Sequence, residues 1–411
     1  MNRRPPKNGG LFCCPEEIEL NELGSLAPPR GFRDILPTEA RELRVLERRL
    51  TETFAGYGYM PLEPPMVEYG AEPSRERRIQ FLDTDGKLVA LRPDLTTAVA
   101  RLVAQRYREM NGALRLSYFA PIFREEPAMT AGERQLLQAG VELIGISGAV
   151  ADADVLALLA ESLEACGLRP DRTAIHVGHV GLVRRLVSGL PGAVRDHVLE
   201  LLRGGDHVGA WARASAGGMS DDDLERARRT LDVAGREIEG LVADEAAQIR
   251  TVIHLARERY PGRAPRWGIP NVGLVPALPY YTGIVFEALH PDVGLIASGG
   301  RYDLLIGTFG APRPAIGFAI DVLRLHRALF AEGWRPGRTT PLITLRPAAD
   351  ERATMRCAAA LRGSGMSVAI GEVAESAGLT IVNAEVVDER RVKLDDGRVV
   401  DAESLAREHA R

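Results

Sequence analysis

The stretch that most constrains this chain is residues 114–145, LRLSYFAPIFREEPAMTAGERQLLQAGVELIG. Two apolar, strand-like runs, Leu116–Phe123 and Leu136–Ile144, flank a polar, glycine-containing loop, which is the pattern of a long antiparallel hairpin. Arg124 and Glu126 leave the first run. On the return run Gln138, Gly140 and Glu142 are spaced by two and so share one face of a sheet. Gln and Glu side chains turned inward need partners. A floor carrying an arginine fork, an amide and a carboxylate, with a glycine between the last two to admit a ligand, is the layout of a small-molecule site. A surface strand with ordinary ion pairs is the competing reading, and the hairpin alone does not separate the two.

At 411 residues the chain has room for two or three domains and a large core. Charge is nearly balanced, 52 Lys+Arg against 56 Asp+Glu for a net of −4, so there is no global pull toward nucleic acid or anionic lipid. No run approaches the ~18 apolar residues of a membrane span. Arg3, Arg4 and Lys7 are followed only by LFCC, too short for a signal peptide. Cys13, Cys14, Cys166 and Cys357 have neither metal-ligand spacing nor a disulfide framework. A reduced, cytoplasmic protein without a bound metal is expected.

Residues 1–28, rich in Pro, Asn, Gly and Glu, read as a loose extension, with order beginning near PRGFRDILP. A helix is predicted from about Thr38, with Leu43, Leu46, Leu50 and Phe54 on one face. GYGYMPLEPPMVEY turns into a short strand edged by prolines. KLVALRPDLTTAVARLVAQRY is a strand that breaks at Pro93 into a helix, with Asp94 and Thr96 at its start. Helix capping explains both residues as well as ligand binding does.

Beyond the hairpin, a helix over 151–167 places Leu156, Leu159 and Leu163 on one side. TAIHVGHVGLV is a strand entering a turn and helix; His176 and His179 lack further nearby ligands, which favours structural roles over zinc. Residues 184 to about 260 read as an inserted helical subdomain with solvated charged faces. Strand signals return over 267–289 and again in GLIASGGRYDLLIGTFG, where Gly299–Gly300 permits close approach of a neighbour or ligand. PRPAIGFAIDVLRLHRALF is a strand leading into a helix that carries Arg324, which with Arg124 would suit a phosphate or carboxylate clamp. PGR (336–338) resembles a linker. Residues 341–411 read as a small α/β domain ending in a hairpin that turns at Asp396–Gly397.

Taken together, FREE, QAGVELIG, YYTGIVFE, SGGRYDLL and IGFAIDVLRL make residues 29–330 resemble the catalytic core of a class II aminoacyl-tRNA synthetase, within that class histidyl-tRNA synthetase. The resemblance implies an α+β fold: a six-stranded antiparallel sheet flanked by helices, with the helical insertion and the small C-terminal domain appended. It also implies a dimer and a pocket for histidine and ATP. Arg124 and Arg324 match the arginines of the second and third class motifs. Asp94, Thr96, Gln138, Glu142 and Tyr281 match positions that contact histidine. That chemistry is apt, since an amino group wants carboxylates and an imidazole wants a carboxylate, a phenol or an amide acceptor.

The chain departs from that family on the nucleotide side. The synthetase's Arg-Gly-Leu-Asp is Pro276, Ala277, Leu278 and Pro279 here, so an arginine that supports attack on the α-phosphate is replaced by a residue with no side-chain donor. Loss of one such donor typically costs ~10²–10³ in rate. The loop Gly-Arg-Tyr-Arg-Gln-Phe-His is Ala131, Gly132, Glu133, Arg134, Gln135, Leu136 and Leu137, which removes an arginine and a histidine and adds an acid. Gly-Leu-Glu near the third motif is Asp321, Val322 and Leu323, which removes a carboxylate able to hold metal–ATP.

The tail has 10 Lys+Arg and 12 Asp+Glu, a net of 10 − 12 = −2, whereas an anticodon reader needs a basic face. It resembles a decayed anticodon-binding domain. This combination is similar to the synthetase-derived regulatory subunits of ATP phosphoribosyltransferase, the first enzyme of histidine biosynthesis. That resemblance implies a non-catalytic protein without a cofactor, with histidine as ligand. It further implies a homodimer core assembled with a short-form catalytic subunit, with no tRNA and no membrane as partner. A divergent histidyl-tRNA synthetase is the alternative; a tRNA- or ribosome-binding factor on a dead synthetase fits these charges poorly.

Overall fold

The two runs of residues 114–145 pair along their whole length. Leu114–Phe123 (β2) lies antiparallel to Gln135–Ile144 (β3), from Leu114 opposite Ile144 to Phe123 opposite Gln135. In this computed structural model, the described residues are 27–69, 78–110, 112–125, 132–232, 244–258, 267–276, 278–335, 341–373 and 380–409. The expected extension up to residue 26, Glu126, Ala131, Ala277 and the 336–338 linker lie outside them.

The pair belongs to an eight-stranded sheet. Its other members are Met60–Pro61 (β1), Ala174–His179 (β4), Trp267–Pro270 (β5), Ile284–His290 (β6), Gly294–Arg301 (β7) and Ala315–Asp321 (β8). The spatial order is β1-β2-β3-β8-β7-β6-β4-β5. From β2 to β4 every neighbour is antiparallel, which gives the six-stranded core implied by the resemblance. The short edge strands β1 and β5 run parallel to their neighbours. The segment 56–69 therefore divides around Pro64–Pro65, with β1 joining the main sheet and Val67–Tyr69 joining a three-stranded sheet with Gln80–Leu82 and Leu88–Leu91.

Each face of the main sheet has its own core. One face, with Val141, Leu143, Phe286, Ile316 and Phe318, packs against helices Pro37–Gly56, Ala149–Cys166, Asp244–Glu258 and Val322–Ala331. The first helix buries the predicted stripe Leu43, Leu46, Leu50 and Phe54. Phe54 meets Phe318 edge to face at 5.9 Å, and truncating such a fully buried ring typically costs ~3–5 kcal/mol. Helix Ala149–Cys166 stops at Gly167, whose φ of 102° lets the amides of Gly167 and Leu168 turn back to the carbonyls of Glu164 and Leu163. The other face carries a smaller core of Leu116, Tyr118, Ala120, Tyr281 and Tyr302 against Leu95 and, from helix Thr96–Arg106, Val99 and Val103. Glu142 lies on this second face.

Between β4 and β5 the chain forms helices Val180–Leu186, Gly192–Arg203, His207–Ala216, Asp221–Asp232 and Asp244–Glu258. The last packs on helix Ala149–Cys166 in the main core, while the others build a separate cluster around Trp211, Val198 and Leu202. His179 caps the first of them by accepting from the Gly181 amide at 3.0 Å, and His176 Nδ1 lies 3.1 Å from Asn271 Nδ2. Both histidines are thus engaged structurally. The tail holds a five-stranded sheet with its own core around Ile343, Leu345, Cys357 and Leu361. Its third strand, Ile381–Val386, lies beside Leu342–Arg346, and Gly397, at φ 88°, turns the final hairpin.

Candidate functional site

The floor of the second face is organised by Glu142. It lies on β3 with no exposed surface, and both carboxylate oxygens are engaged by hydroxyls. Thr96 Oγ1 donates to Oε1 at 2.8 Å, Tyr118 donates to the same oxygen at 3.3 Å, and the Tyr302 hydroxyl donates to Oε2. Burial pushes the carboxyl up to about 7; the three hydroxyls oppose that rise, and the nearby Asp94 charge adds to it. Burial also raises the phenols of Tyr118, Tyr280, Tyr281 and Tyr302, so these rings remain hydrogen-bond donors. The Tyr281 ring lies tilted against that of Tyr280, centroids 4.9 Å apart, and Tyr280 meets Tyr302 edge to face at 5.8 Å. A buried carboxylate ringed by phenols is chemically suited to an amine or imidazolium, whose donors would complete its lone pairs.

The structure divides the roles of Asp94 and Thr96. Asp94 accepts from the Thr97 amide at 2.6 Å and from the Thr97 hydroxyl at 3.0 Å, so it caps helix Thr96–Arg106. Thr96 is turned to Glu142 instead. Gln138 is half-buried two steps along β3, with Asp321 of β8 opposite it. Gly140, expected from the sequence to admit a ligand, is instead closed off by the protein's own atoms. A Cβ there would stand 2.5 Å from the Tyr118 hydroxyl and would also overlap the Phe318 carbonyl oxygen. The protein's own tyrosine occupies that space. At Gly299 the close neighbours are likewise internal, the Phe286 ring and the Gly317 carbonyl.

Tyr118 and Tyr302 escape a reading of single strands, because each reaches Glu142 from another strand or loop. The register of β8 on β3 also puts Gly317 directly opposite Glu142, where a Cβ would fall on the carboxylate itself. A further carboxylate, Glu287 on β6, lies on the same face in the row running from Gly140 through Ala319 and Ser298. Burial raises its carboxyl too. Beside the floor, Arg301 donates to Asp152 at 2.8 Å and to Asp303 at 2.9 Å, a mostly buried ion-pair cluster that fixes the start of the SGGRYD turn.

The nucleotide side is arranged differently. Arg124 Nε donates to the Pro93 carbonyl at 3.2 Å. Arg324 donates to the Leu295 carbonyl at 3.1 Å and lies 3.4 Å from Asp321, which caps the same helix through the Arg324 amide. Glu133 pairs with Arg327 and, at 3.4 Å, with Arg33. Leu323 is buried in the main core. Pro276 offers only its carbonyl, which accepts from Arg203 at 3.0 Å.

An antiparallel six-stranded sheet with helices on both faces, and this set of residues along it, defines a core of the class II aminoacyl-tRNA synthetase type. The family model for histidyl-tRNA synthetase matches residues 31–325. The ATP phosphoribosyltransferase regulatory subunit of Symbiobacterium thermophilum is 36% identical over 365 residues, covering 83% of this chain and 90% of that protein. The protein of the same name from Desulforamulus reducens is 35% identical, covering 85% and 90%. A solved structure, an ATP phosphoribosyltransferase regulatory subunit/histidyl-tRNA synthetase from Bacillus halodurans, superposes with a TM-score of 0.74 at 26% identity, covering 87% of this chain and 98% of that one. The chain belongs to the ATP phosphoribosyltransferase regulatory subunits, built on the histidyl-tRNA synthetase fold.

Proposed function

We propose that the protein is the non-catalytic regulatory subunit of an ATP phosphoribosyltransferase, acting with a short-form catalytic subunit in the first step of histidine biosynthesis and taking part in histidine feedback. The observation that carries this reading is the asymmetry of the site. The amino-acid floor keeps a buried Glu142 and Tyr281 with half-buried Thr96 and Gln138 beside them, while Pro276 stands where a synthetase arginine would act. Histidine is the proposed ligand of that floor, its cationic groups taken by Glu142 and the phenols. Asp94 contributes mainly by fixing the helix that carries Thr96. No tRNA is expected as partner and no cofactor is expected. Among the described residues no helix is long and apolar enough to cross a membrane, and a cytoplasmic location is proposed with the biosynthetic role.

A homodimer core fits the same reading. Tyr69, Phe81, Leu82 and Leu88 on the three-stranded sheet, with Met60 and Met66 nearby, are exposed apolar side chains of the kind that subunit interfaces cover. Regulation must then come through contact that favours the active state of the partner over its inactive one. The decisive experiment is co-expression with the short catalytic subunit, followed by a turnover assay with and without histidine. Co-elution, faster turnover and histidine sensitivity are expected; separate elution with unchanged turnover would remove the basis of the proposal. Histidine-dependent ATP–pyrophosphate exchange tests the alternative, a working synthetase. Exchange within reach of a typical turnover of ~1–10 s⁻¹ would decide for that alternative.

A further inference from the structure

Two other buried carboxylates, Asp152 and Asp94, are each held by a group that can only donate: the Arg301 guanidinium and the Thr97 amide. Such a donor has no acceptor and favours the ionised carboxylate. Glu142 differs. Thr96, Tyr118 and Tyr302 answer it with hydroxyls, and no arginine or lysine among the described residues contacts it. A hydroxyl both donates and accepts. With one hydrogen turned, the same ring accommodates a neutral carboxyl as well as an ionised one, and no heavy atom need move. The surrounding elements agree. β2 presents Leu116 directly opposite, β8 presents Gly317, and Tyr280 and Tyr281 lie near it as protonated phenols. Asp94, just before helix Thr96–Arg106, adds a negative charge that opposes ionisation. Arg124 is turned to the Pro93 carbonyl, and Arg301 to Asp152 and Asp303.

Burial carries the Glu142 carboxyl up to about 7, close to the ~6.5 of an imidazole. Groups so matched can meet as acid and neutral base or as carboxylate and imidazolium, with the same number of protons. An ammonium offers no such choice and would force a charged carboxylate on the buried floor. Glu142 has no exposed surface, and Tyr118 and Tyr302 are each 2% exposed, whereas Thr96 is half-buried. Thr96 is thus the hydroxyl that an entering ligand meets. Resting on histidine as the ligand of the floor, we infer that Glu142 and the ligand's imidazole hold one proton between them through the Thr96 hydroxyl, so that histidine binds most tightly near neutral pH and more weakly on either side. The proton leaves the carboxyl for the Thr96 oxygen as the Thr96 proton moves to the imidazole nitrogen, and the reverse step restores both.

The test is calorimetry of the full chain with L-histidine from about pH 5 to about pH 8.5, in buffers of different ionisation enthalpy so that protons are counted. Because the bound pair keeps one proton, binding should release protons near about pH 6 and take them up near about pH 8. Affinity should be about tenfold below its maximum at either end of the range. Glu142→Gln should abolish the uptake on the alkaline side. Thr96→Val should weaken binding about tenfold at neutral pH, with Thr96→Ser close to the parent. Histidine binding without alkaline uptake overturns the inference and leaves the histidine site standing. Uptake retained by Glu142→Gln, or equal binding by parent and Thr96→Val, does the same. Absence of histidine binding at every pH removes the site and the inference together.

Discussion

On the amino-acid side of the floor the polar groups are buried and answer one another; on the nucleotide side they are nearer solvent and tied to the protein's own backbone and surface charges. Glu142, without exposed surface, receives three hydroxyls. Arg324, with nearly half its side chain exposed, is shared between a carbonyl and the acid that caps its own helix. A buried carboxylate is tolerable only while its partners stay in place, since an unanswered one costs far more than the hydrogen bonds return. The amino-acid side is therefore held by folding itself. An exposed arginine can settle on a nearby carbonyl at little cost.

The largest effect should come from closing the floor. Gly317→Ala places a methyl on the Glu142 carboxylate and against the Val141 carbonyl, and neither can retreat within the sheet. A loss of about 3 kcal/mol or more is expected by chemical denaturation. If Gly317→Ala unfolds at the parent's midpoint, the floor is looser than its geometry implies and the contrast between the two sides fails.

Next is the ligand. Glu142→Ala should weaken histidine binding by about 2–5 kcal/mol in calorimetry, because a cationic group would lose its buried partner. Asp94→Ala should weaken it less and should cost about 1 kcal/mol of stability through the lost cap. Equal histidine binding by parent and Glu142→Ala would place the ligand elsewhere.

The third effect is a pH slope. Glu142 titrates near 7 when folded, against an ordinary value of 4.5. Between those values the folded state holds a proton that the unfolded chain has released. Its contribution is thus greatest below 4.5 and is lost as pH rises through the folded value of about 7. The loss is on the order of 3 kcal/mol across that window. Glu142→Gln should flatten this part of the stability curve, and an unchanged slope would assign the titration to another group.

The smallest effect tests the other side. Arg324→Gln should change stability by no more than about 0.5 kcal/mol. It should also leave histidine affinity unaltered. A marked loss of affinity would mean that the nucleotide side still serves the ligand.

How much of this was legible in the sequence depended on whether a feature is local to one element. The stripe Leu43, Leu46, Leu50, Phe54 repeats along one helix, and the alternation of 135–144 runs along one strand, so both could be read directly. Tyr118 and Tyr302 could not, since they meet Glu142 diagonally from β2 and from the loop after β7, contacts that no single-strand period contains. Gly140 was legible as a place of close approach but not as to what approaches. The edge strands β1 and β5, two and four residues long, carry too little pattern to announce a parallel pairing. In the tail, Ile381–Val386 sits between a parallel and an antiparallel neighbour, yet Asn383 and Glu385 interrupt its apolar run.

Gly140 and Gly317 have a consequence for how such a protein changes over generations. Every glycine codon begins with two guanines, and any change at either base introduces a side chain or a stop. At these two positions the added atom meets the floor itself, so selection for folding alone would purge the change, whether or not the site still performs a reaction. The acids and arginines around them have no such protection. A lineage that abandoned catalysis could therefore lose its chemistry residue by residue and still carry the imprint of the ancestral pocket in the places where nothing can be added.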